Sequence, residues 1–268
     1  MHSLHHAPST PPASGGTAAL AAPHAGVRAR VRLLTVARTA GLHLSPQESD
    51  DASGGGRVLL GEADESTVRA LGDLIVAARH ATPVAVAPPV SGSAGQRLRE
   101  TVRAVGLELN PGTPRTGPDG PRYLLGEADH ATVTRLADLI TTGHTRLHLA
   151  ADDLRFALVA HGLNAEQVKV EAGTVDLGSI DVPDARTLLR LLTGSTEDGP
   201  DYSDDPRGYG LLAARITDAV KTVTGGGDVN AAYTPYCPRC REEAAILLRG
   251  LPLPHISRLT DHLTRTAA

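Results

Sequence analysis

Two cysteines, Cys237 and Cys240, are the residues of this 268-residue chain whose type and spacing most directly suggest chemistry. They form a Cys-Pro-x-Cys within the stretch YTPYCPRCREEAAILL, and the sequence has no other cysteine. Three interpretations fit this motif: half of a zinc site, a redox dithiol, or two ordinary thiols. Two cysteines this close together do not make a secreted disulfide framework, so the motif favours a reducing, cytoplasmic setting.

The zinc interpretation requires two ligands besides the cysteine thiolates. His255 follows Cys240 by 15 positions, and His262 follows His255 by seven. Positions seven apart on one helix share a face but lie roughly 10 Å apart, at a rise of about 1.5 Å per residue. Both histidines therefore cannot bind one ion. The zinc interpretation predicts Cys237, Cys240 and His255 as ligands, with a fourth ligand unassigned.

The same stretch supports a redox alternative. Over about 16 residues, YTPYCPRCREEAAILL resembles the first strand, active site and first helix of glutaredoxins, with Tyr236, Cys237, Pro238 and Cys240 on the motif positions. The resemblance implies that Cys237 is a nucleophilic thiolate at a helix N-terminus and that Cys240 resolves the mixed disulfide. It thus implies a thiol-disulfide oxidoreductase-like protein.

Carboxylates recur at a fixed spacing from glycine. At three places Gly-x-x-Asp comes directly before a predicted helix, ending at Asp64, Asp129 and Asp181. Each aspartate stands where a helix is predicted to begin, so we predict that all three cap the free N–H groups of that helix. Glu62 and Glu127 lie two residues before the first two aspartates. They give a second alternative function, an enzyme that uses carboxylates at module junctions.

These motifs belong to an internal repeat. The stretches RVLLGEADESTVRALGDLI and RYLLGEADHATVTRLADLI lie 65 positions apart, and VRLLTVARTAGLHLSP and QRLRETVRAVGLELNP keep the same shift. A looser third copy follows. The hydrophobic period of each unit predicts a short strand (ALAA, VAVA and LHLA in the three copies), a helix, two strands and a helix. This β-α-β-β-α order, continued by the next unit's first strand, is ferredoxin-like in element order.

The predicted fold class is therefore α/β (α+β), built from tandem repeat modules with a small, mainly helical C-terminal segment. The expected organisation is a disordered tail over residues 1–16, repeat modules over 17–81, 82–146 and a shorter 147–194, an acidic linker over 195–210, and the cysteine-bearing helical segment over 211–268.

Composition limits the possible partners. The chain carries 26 basic and 30 acidic residues, a net charge of −4, whereas nucleic-acid-binding domains usually have a basic surface. Apolar runs stay below the roughly 18 residues that cross a bilayer, and the N-terminal stretch lacks the pattern of a secretory signal. We therefore predict a cytoplasmic, non-enzymatic binding or regulatory protein with a protein partner and a zinc-stabilised C-terminal contact module. The sequence does not indicate the oligomeric state.

Overall fold

The computed structural model describes residues 22–49, 57–79, 93–109, 111–118, 120–195, 206–226, 230–235 and 244–267. This part of the chain is a mixed α+β structure in which helices hold most of the residues. The helices are α1 (Ala22–Thr39), α2 (Glu65–Arg79), α3 (Ala94–Ala104), α4 (His130–Ala160), α5 (Val182–Thr193), α6 (Pro206–Thr224) and α7 (Leu253–Ala267). The strands are β1 (Gln47–Glu48), β2 (Arg57–Leu59), β3 (Glu62–Asp64), β4 (Arg115–Gly117), β5 (Gly120–Leu124), β6 (Glu127–Asp129), β7 (Lys169–Glu171), β8 (Thr174–Asp176), β9 (Gly178–Asp181), β10 (Asn230–Thr234) and β11 (Ala245–Arg249).

The strands form small antiparallel sheets. Their orders are β1-β2-β6, β4-β5-β3 and β10-β11-β9, with β7 and β8 as a separate two-stranded sheet. Every pairing among the described strands is antiparallel. A ferredoxin-like order would instead place parallel strands side by side through a helical crossover. The described strands do not confirm the ferredoxin-like prediction, because they include no parallel pair.

Strands from distant parts of the sequence exchange partners. β2 pairs with β6, which places Arg57 opposite Asp129, and β5 pairs with β3, which places Arg122 opposite Asp64. Arg57 and Arg122 are 65 positions apart, and so are Asp64 and Asp129, so the shift of the sequence relates the two pairings. As a result, the strands of the first 65-residue unit complete the sheets of the next one.

The helices follow the same exchange. α1 packs against α4, α3 packs against α2, and α2 crosses α4. At this crossing a Cβ on Gly143 would lie 2.1 Å from the carbonyl oxygen of Leu74, so only glycine allows the two backbones to come this close. Nearby, Arg146 Nη1 donates to the carbonyl oxygens of Ala77 at 3.1 Å and Ala78 at 2.7 Å. These bonds satisfy carbonyls at the C-terminal end of α2.

The C-terminal half repeats this pattern of exchange. β11 pairs with β9, and the backbones of Val175 and Leu251 form a two-bond bridge at 2.9 and 3.1 Å. α4 also packs on α7, and α5 packs on α6. α4 therefore belongs to both halves of the described structure.

The aspartate caps are confirmed. Oδ1 of Asp64, Asp129 and Asp181 each accepts a hydrogen bond from the backbone N–H three residues further on, at 2.6 to 2.7 Å. For Asp129 the hydrogen bond from the Thr132 amide holds the pKa of the carboxyl below its ordinary value. These carboxylates are thus occupied in starting α2, α4 and α5.

The prediction of a strand at LHLA is wrong, because residues 147–150 lie inside α4. Leu147 is fully buried and continues the inner stripe of the helix from Ile140, whereas Leu149 is 60% exposed. A strand would turn both leucines to one face, and a helix turns them to different faces. Of the other predicted first strands, Ala22 opens α1, and ALA at 19–21 and VAVA at 84–87 lie outside the described residues.

The C-terminal segment is less helical than predicted. Besides α6 and α7 it contains the antiparallel pair β10 and β11, in which Asn230 lies opposite Arg249 and Thr234 opposite Ala245. The stretch AILLR becomes a strand because it lies between β10 and β9, where Ile246 and Leu248 are buried. The predicted tail over 1–16 and most of the acidic linker, residues 196–205, lie outside the described residues.

The core is aliphatic, as the composition predicts. Leucine, valine, isoleucine and alanine side chains from the helices and strands form one continuous buried cluster, and Tyr123 is the aromatic side chain within it. Among the described residues, no helix is both long enough and apolar enough to span a membrane.

Candidate functional site

Cys237 and Cys240 lie outside the described residues, so their state as ligands, redox pair or ordinary thiols stays a prediction. The strands on either side are described and bear on the redox alternative. The glutaredoxin resemblance implies a helix after the second cysteine, but Ala245–Arg249 is β11. That part of the resemblance is wrong, and the helix N-terminus that would lower the pKa of Cys237 is not formed by these residues.

His255, the third predicted zinc ligand, is described. It lies in the first turn of α7 and is 8% exposed, with its backbone N–H donating to the Pro252 carbonyl at 2.9 Å. The cysteine-bearing connection joins the Thr234 and Ala245 ends of the hairpin, whereas α7 follows the Arg249 end. Ala245 and Arg249 are the two ends of β11. Four residue steps at about 3.3 Å each place these ends about 13 Å apart. The shared site with both cysteines stays a prediction.

His262 has a structural contact. Its Nε2–H donates to the carbonyl oxygen of Leu191 at 3.1 Å, which ties α7 to α5. Across the described residues, no three His, Cys, Asp or Glu side chains are grouped so that they could hold one metal ion.

Glu62 and Glu127 lie in different strand pairs. Glu62, in β3, lies opposite Leu124, and Glu127, in β6, lies opposite Leu59. Both glutamates are exposed, and Oε2 of Glu127 is 3.5 Å from Nη1 of Arg57. This contact is an ordinary surface ion pair. Catalysis by these carboxylates stays a hypothesis.

One cavity lies between α4, α5 and the β8–β9 region. Its volume is about 10 Å³, and Leu158, Leu163, Leu177 and Leu188 are among its lining residues. A single water needs about 10 to 15 Å³. This cavity is therefore a packing defect and not a substrate pocket.

An exposed apolar stripe on α4 was not found by the sequence analysis. We call Leu149, Phe156 and Val159 the α4 stripe; they are 60, 75 and 61% exposed. Steps of seven and three residues place them on one helix face. Phe156 is the single phenylalanine of the chain. The helical period of the sequence could have indicated this exposure, because it places Phe156 on a different helix face from Leu154 and Leu158, which are buried.

Exposed large apolar side chains occur on few elements. Among the described residues they lie on α1, α4 and α6, and they are Val27, Val31, Leu149, Phe156, Val159 and Leu211. Three of the six form the α4 stripe, which makes this helix the most apolar exposed surface described.

A second missed feature lies one turn before the stripe. His144 and His148 are i and i+4 on α4, and their Nε2 atoms are 3.3 Å apart. The rings meet edge to face, with centroids 4.5 Å apart and an interplanar angle of 71°. Burial and then the neighbouring His148 lower the pKa of His144. The spacing in HTRLH was a signal in the sequence, but it predicts a shared face only if this stretch is helical, and the stretch was assigned in part to a strand.

No protein-family model, curated protein or solved structure matches this chain.

Proposed function

We propose that the chain is a non-enzymatic binding protein, a scaffold of paired repeat modules that offers the α4 stripe to a protein partner. The observation that carries the proposal is the exposure of Phe156, the single phenylalanine, in line with Leu149 and Val159. Several exposed large apolar residues on one helix face are typical of interaction sites, whereas scattered single apolar residues are not.

The element order supports repeat modules and extends them to a fourth copy. Each of four segments has a helix, a glycine with positive φ, two short strands, a second glycine with positive φ and another helix. In the first three segments a third short strand begins at or just after the second glycine, and α4 is shared between the second and third segments. The first glycines are Gly41, Gly106, Gly162 and Gly226, and the second are Gly61, Gly126, Gly178 and Gly250. The exchange of strands joins these modules in two pairs.

Burial distinguishes the stripe from the structural faces of α4. The opposite side of the same helix holds Ile140, Leu147 and Leu154, all fully buried against the scaffold. Their packing already supplies the stability of the helix. Phe156 and its neighbours are therefore not needed to hold α4 in place, and a partner would find them already arranged on a rigid helix.

Charge selects the kind of partner. Asp152 and Asp153 are exposed beside the stripe, and Arg155 is already paired with Asp152 and bonded to the carbonyl of Val168. Two copies of the stripe facing each other would bring their aspartates together, which disfavours a second copy of this chain. We propose a partner segment with apolar side chains flanked by lysine or arginine. The close cysteine pair leads us to propose a cytoplasmic location.

Selection from a random peptide library on the purified full chain tests this function. We expect enriched peptides with apolar residues at helical spacing and flanking Lys or Arg. Phe156→Asp should weaken their binding about tenfold or more, since aromatic anchors dominate such contacts. Leu211→Asp, which changes a 57% exposed leucine on α6 in the same way, is the matched control and should leave binding unchanged.

Two results would contradict the proposal. Equal binding by Phe156→Asp and Leu211→Asp would remove the α4 stripe as the contact surface. A dimer of the parent chain in sedimentation velocity that Phe156→Asp dissociates would show that a second copy covers the stripe, contrary to the partner proposed.

A further inference from the structure

The geometry of His144 and His148 matches that of two ligands of one metal ion. Tetrahedral zinc holds imidazole nitrogens at about 2.0 to 2.1 Å, which puts two such nitrogens about 3.3 to 3.4 Å apart. The two Nε2 atoms are 3.3 Å apart. The distance between the two nitrogens therefore suits one shared ion.

We propose that His144 and His148 bind one zinc ion through their Nε2 atoms, with the remaining coordination positions open to water or to a ligand atom of a bound partner. Two histidines at i and i+4 on one helix face are an established arrangement for zinc. This zinc site is separate from the one predicted at the cysteines, and it does not depend on the proposed contact surface.

The surroundings favour a borderline transition metal. Imidazole nitrogen suits zinc, copper and nickel, whereas magnesium and calcium take oxygen ligands. His144 is half-buried, which restricts its side chain, while His148 is exposed and leaves the site open to solvent. Asp152, one turn beyond His148, is exposed and is ion-paired with Arg155.

The position of the pair gives the ion a structural consequence. His144 and His148 flank Arg146, which bonds to the end of α2, on a helix that packs on α1, α2 and α7. A bound ion would join two successive turns of the helix that both halves of the molecule share. Because the pair has this geometry only in the folded helix, zinc binding should stabilise the folded chain.

The test is a zinc titration of a full-length variant that lacks both cysteines and the three histidines nearest the N-terminus. This background carries Cys237→Ser and Cys240→Ser, together with asparagine in place of His2, His5 and His6. We expect one zinc equivalent to raise its Tm and magnesium to leave it unchanged. Adding His144→Asn or His148→Asn should abolish the rise, whereas His43→Asn, an exposed histidine outside α4, should preserve it.

Ring ¹⁵N resonances identify the ligand atoms directly and do not depend on the Tm. We expect zinc to shift the Nε2 signals of His144 and His148 together and to leave that of His43 in place. A Tm rise that persists in His144→Asn, or zinc that moves neither signal, would overturn the proposal and leave the contact as a hydrogen bond between the two rings. The zinc-free Tm of each variant shows that it is folded.

Discussion

Asp129 illustrates how one carboxylate begins a helix in this chain. Its Oδ1 accepts the Thr132 N–H at 2.6 Å, and this bond is the main reason for the lowered pKa of the group. The carboxylate also stands opposite Arg57 across the β2–β6 pairing. Because Asp129 is the last residue of β6 and the cap of α4, its loss affects the longest described helix at its start.

We expect Asp129→Ala to lower the free energy of unfolding by about 1 kcal/mol, the usual effect of losing an N-cap. Asp129→Asn should retain most of the parent's free energy of unfolding, because asparagine caps a helix about as well as aspartate. Chemical denaturation at neutral pH measures both. Asp153→Ala, which removes an exposed aspartate from the middle of α4, is the control and should stay within about 0.5 kcal/mol of the parent.

The same carboxylate gives a pH dependence of known sign. The folded pKa lies below the ordinary value of 3.8, so the charged cap's extra contribution is complete above that value and is lost as the pH falls through the folded pKa. The stability advantage of the parent over Asp129→Asn should therefore shrink below about pH 4. A difference that stays constant through this range would mean that the charge of Asp129 adds nothing to the cap.

At the level of elements, the approach of α2 to α4 is set by glycine. A Cβ at Gly143 would lie 2.1 Å from the Leu74 carbonyl oxygen, and neither backbone can move without disturbing the bonds that Arg146 makes to the end of α2. Gly72, on α2, has no atom within 4 Å of the position its Cβ would take. The two glycines therefore have opposite roles in helices that touch each other.

Gly143→Ala should lower the free energy of unfolding by about 3 kcal/mol or more, because the added methyl group overlaps backbone that cannot relax. Gly72→Ala should raise it by about 0.5 to 1 kcal/mol, since alanine restricts the unfolded chain and favours helix. Thermal and chemical denaturation compare the two. A Gly143→Ala variant as stable as the parent would show that α2 and α4 can separate at this crossing without cost.

The elements also show where local patterns suffice to predict structure. The N-caps at Asp64, Asp129 and Asp181 follow from residue type and spacing alone, because a cap is a contact between near neighbours. The strand assigned to LHLA and the helix implied for AILLR are both wrong, because short apolar runs fit either period. Their structure is decided by distant partners: α2 and α7 for the first, β9 and β10 for the second.

The candidate site was missed for a related reason. The spacing of the two cysteines indicates metal or redox chemistry without knowledge of the secondary structure. His144 and His148 indicate such chemistry only once both are known to lie on one helix face. Phe156 likewise becomes informative only when its exposure is known, since a lone aromatic residue is expected in the core.

Strand pairing links the first two predicted modules to each other. β2 takes its partner β6 from the second module, and β3 takes its partner β5 from there as well. α1 and α3 likewise pack on helices of the other module. Each module alone would expose sheet edges and apolar helix faces, so we expect neither to be stable by itself.

A cut between α2 and α3 tests this interdependence. We expect a protease site inserted between Arg79 and Ser93 to be cleaved without separating the fragments, because antiparallel pairing and helix packing both cross the cut. Size-exclusion chromatography should give one native peak containing both fragments, and denaturant should resolve them. An uncleaved chain with a scrambled protease site controls for the insertion. Circular dichroism would show whether separated fragments are folded. Folded fragments that elute separately under native conditions would show that the two predicted modules are independent domains and that strand exchange between them contributes little stability.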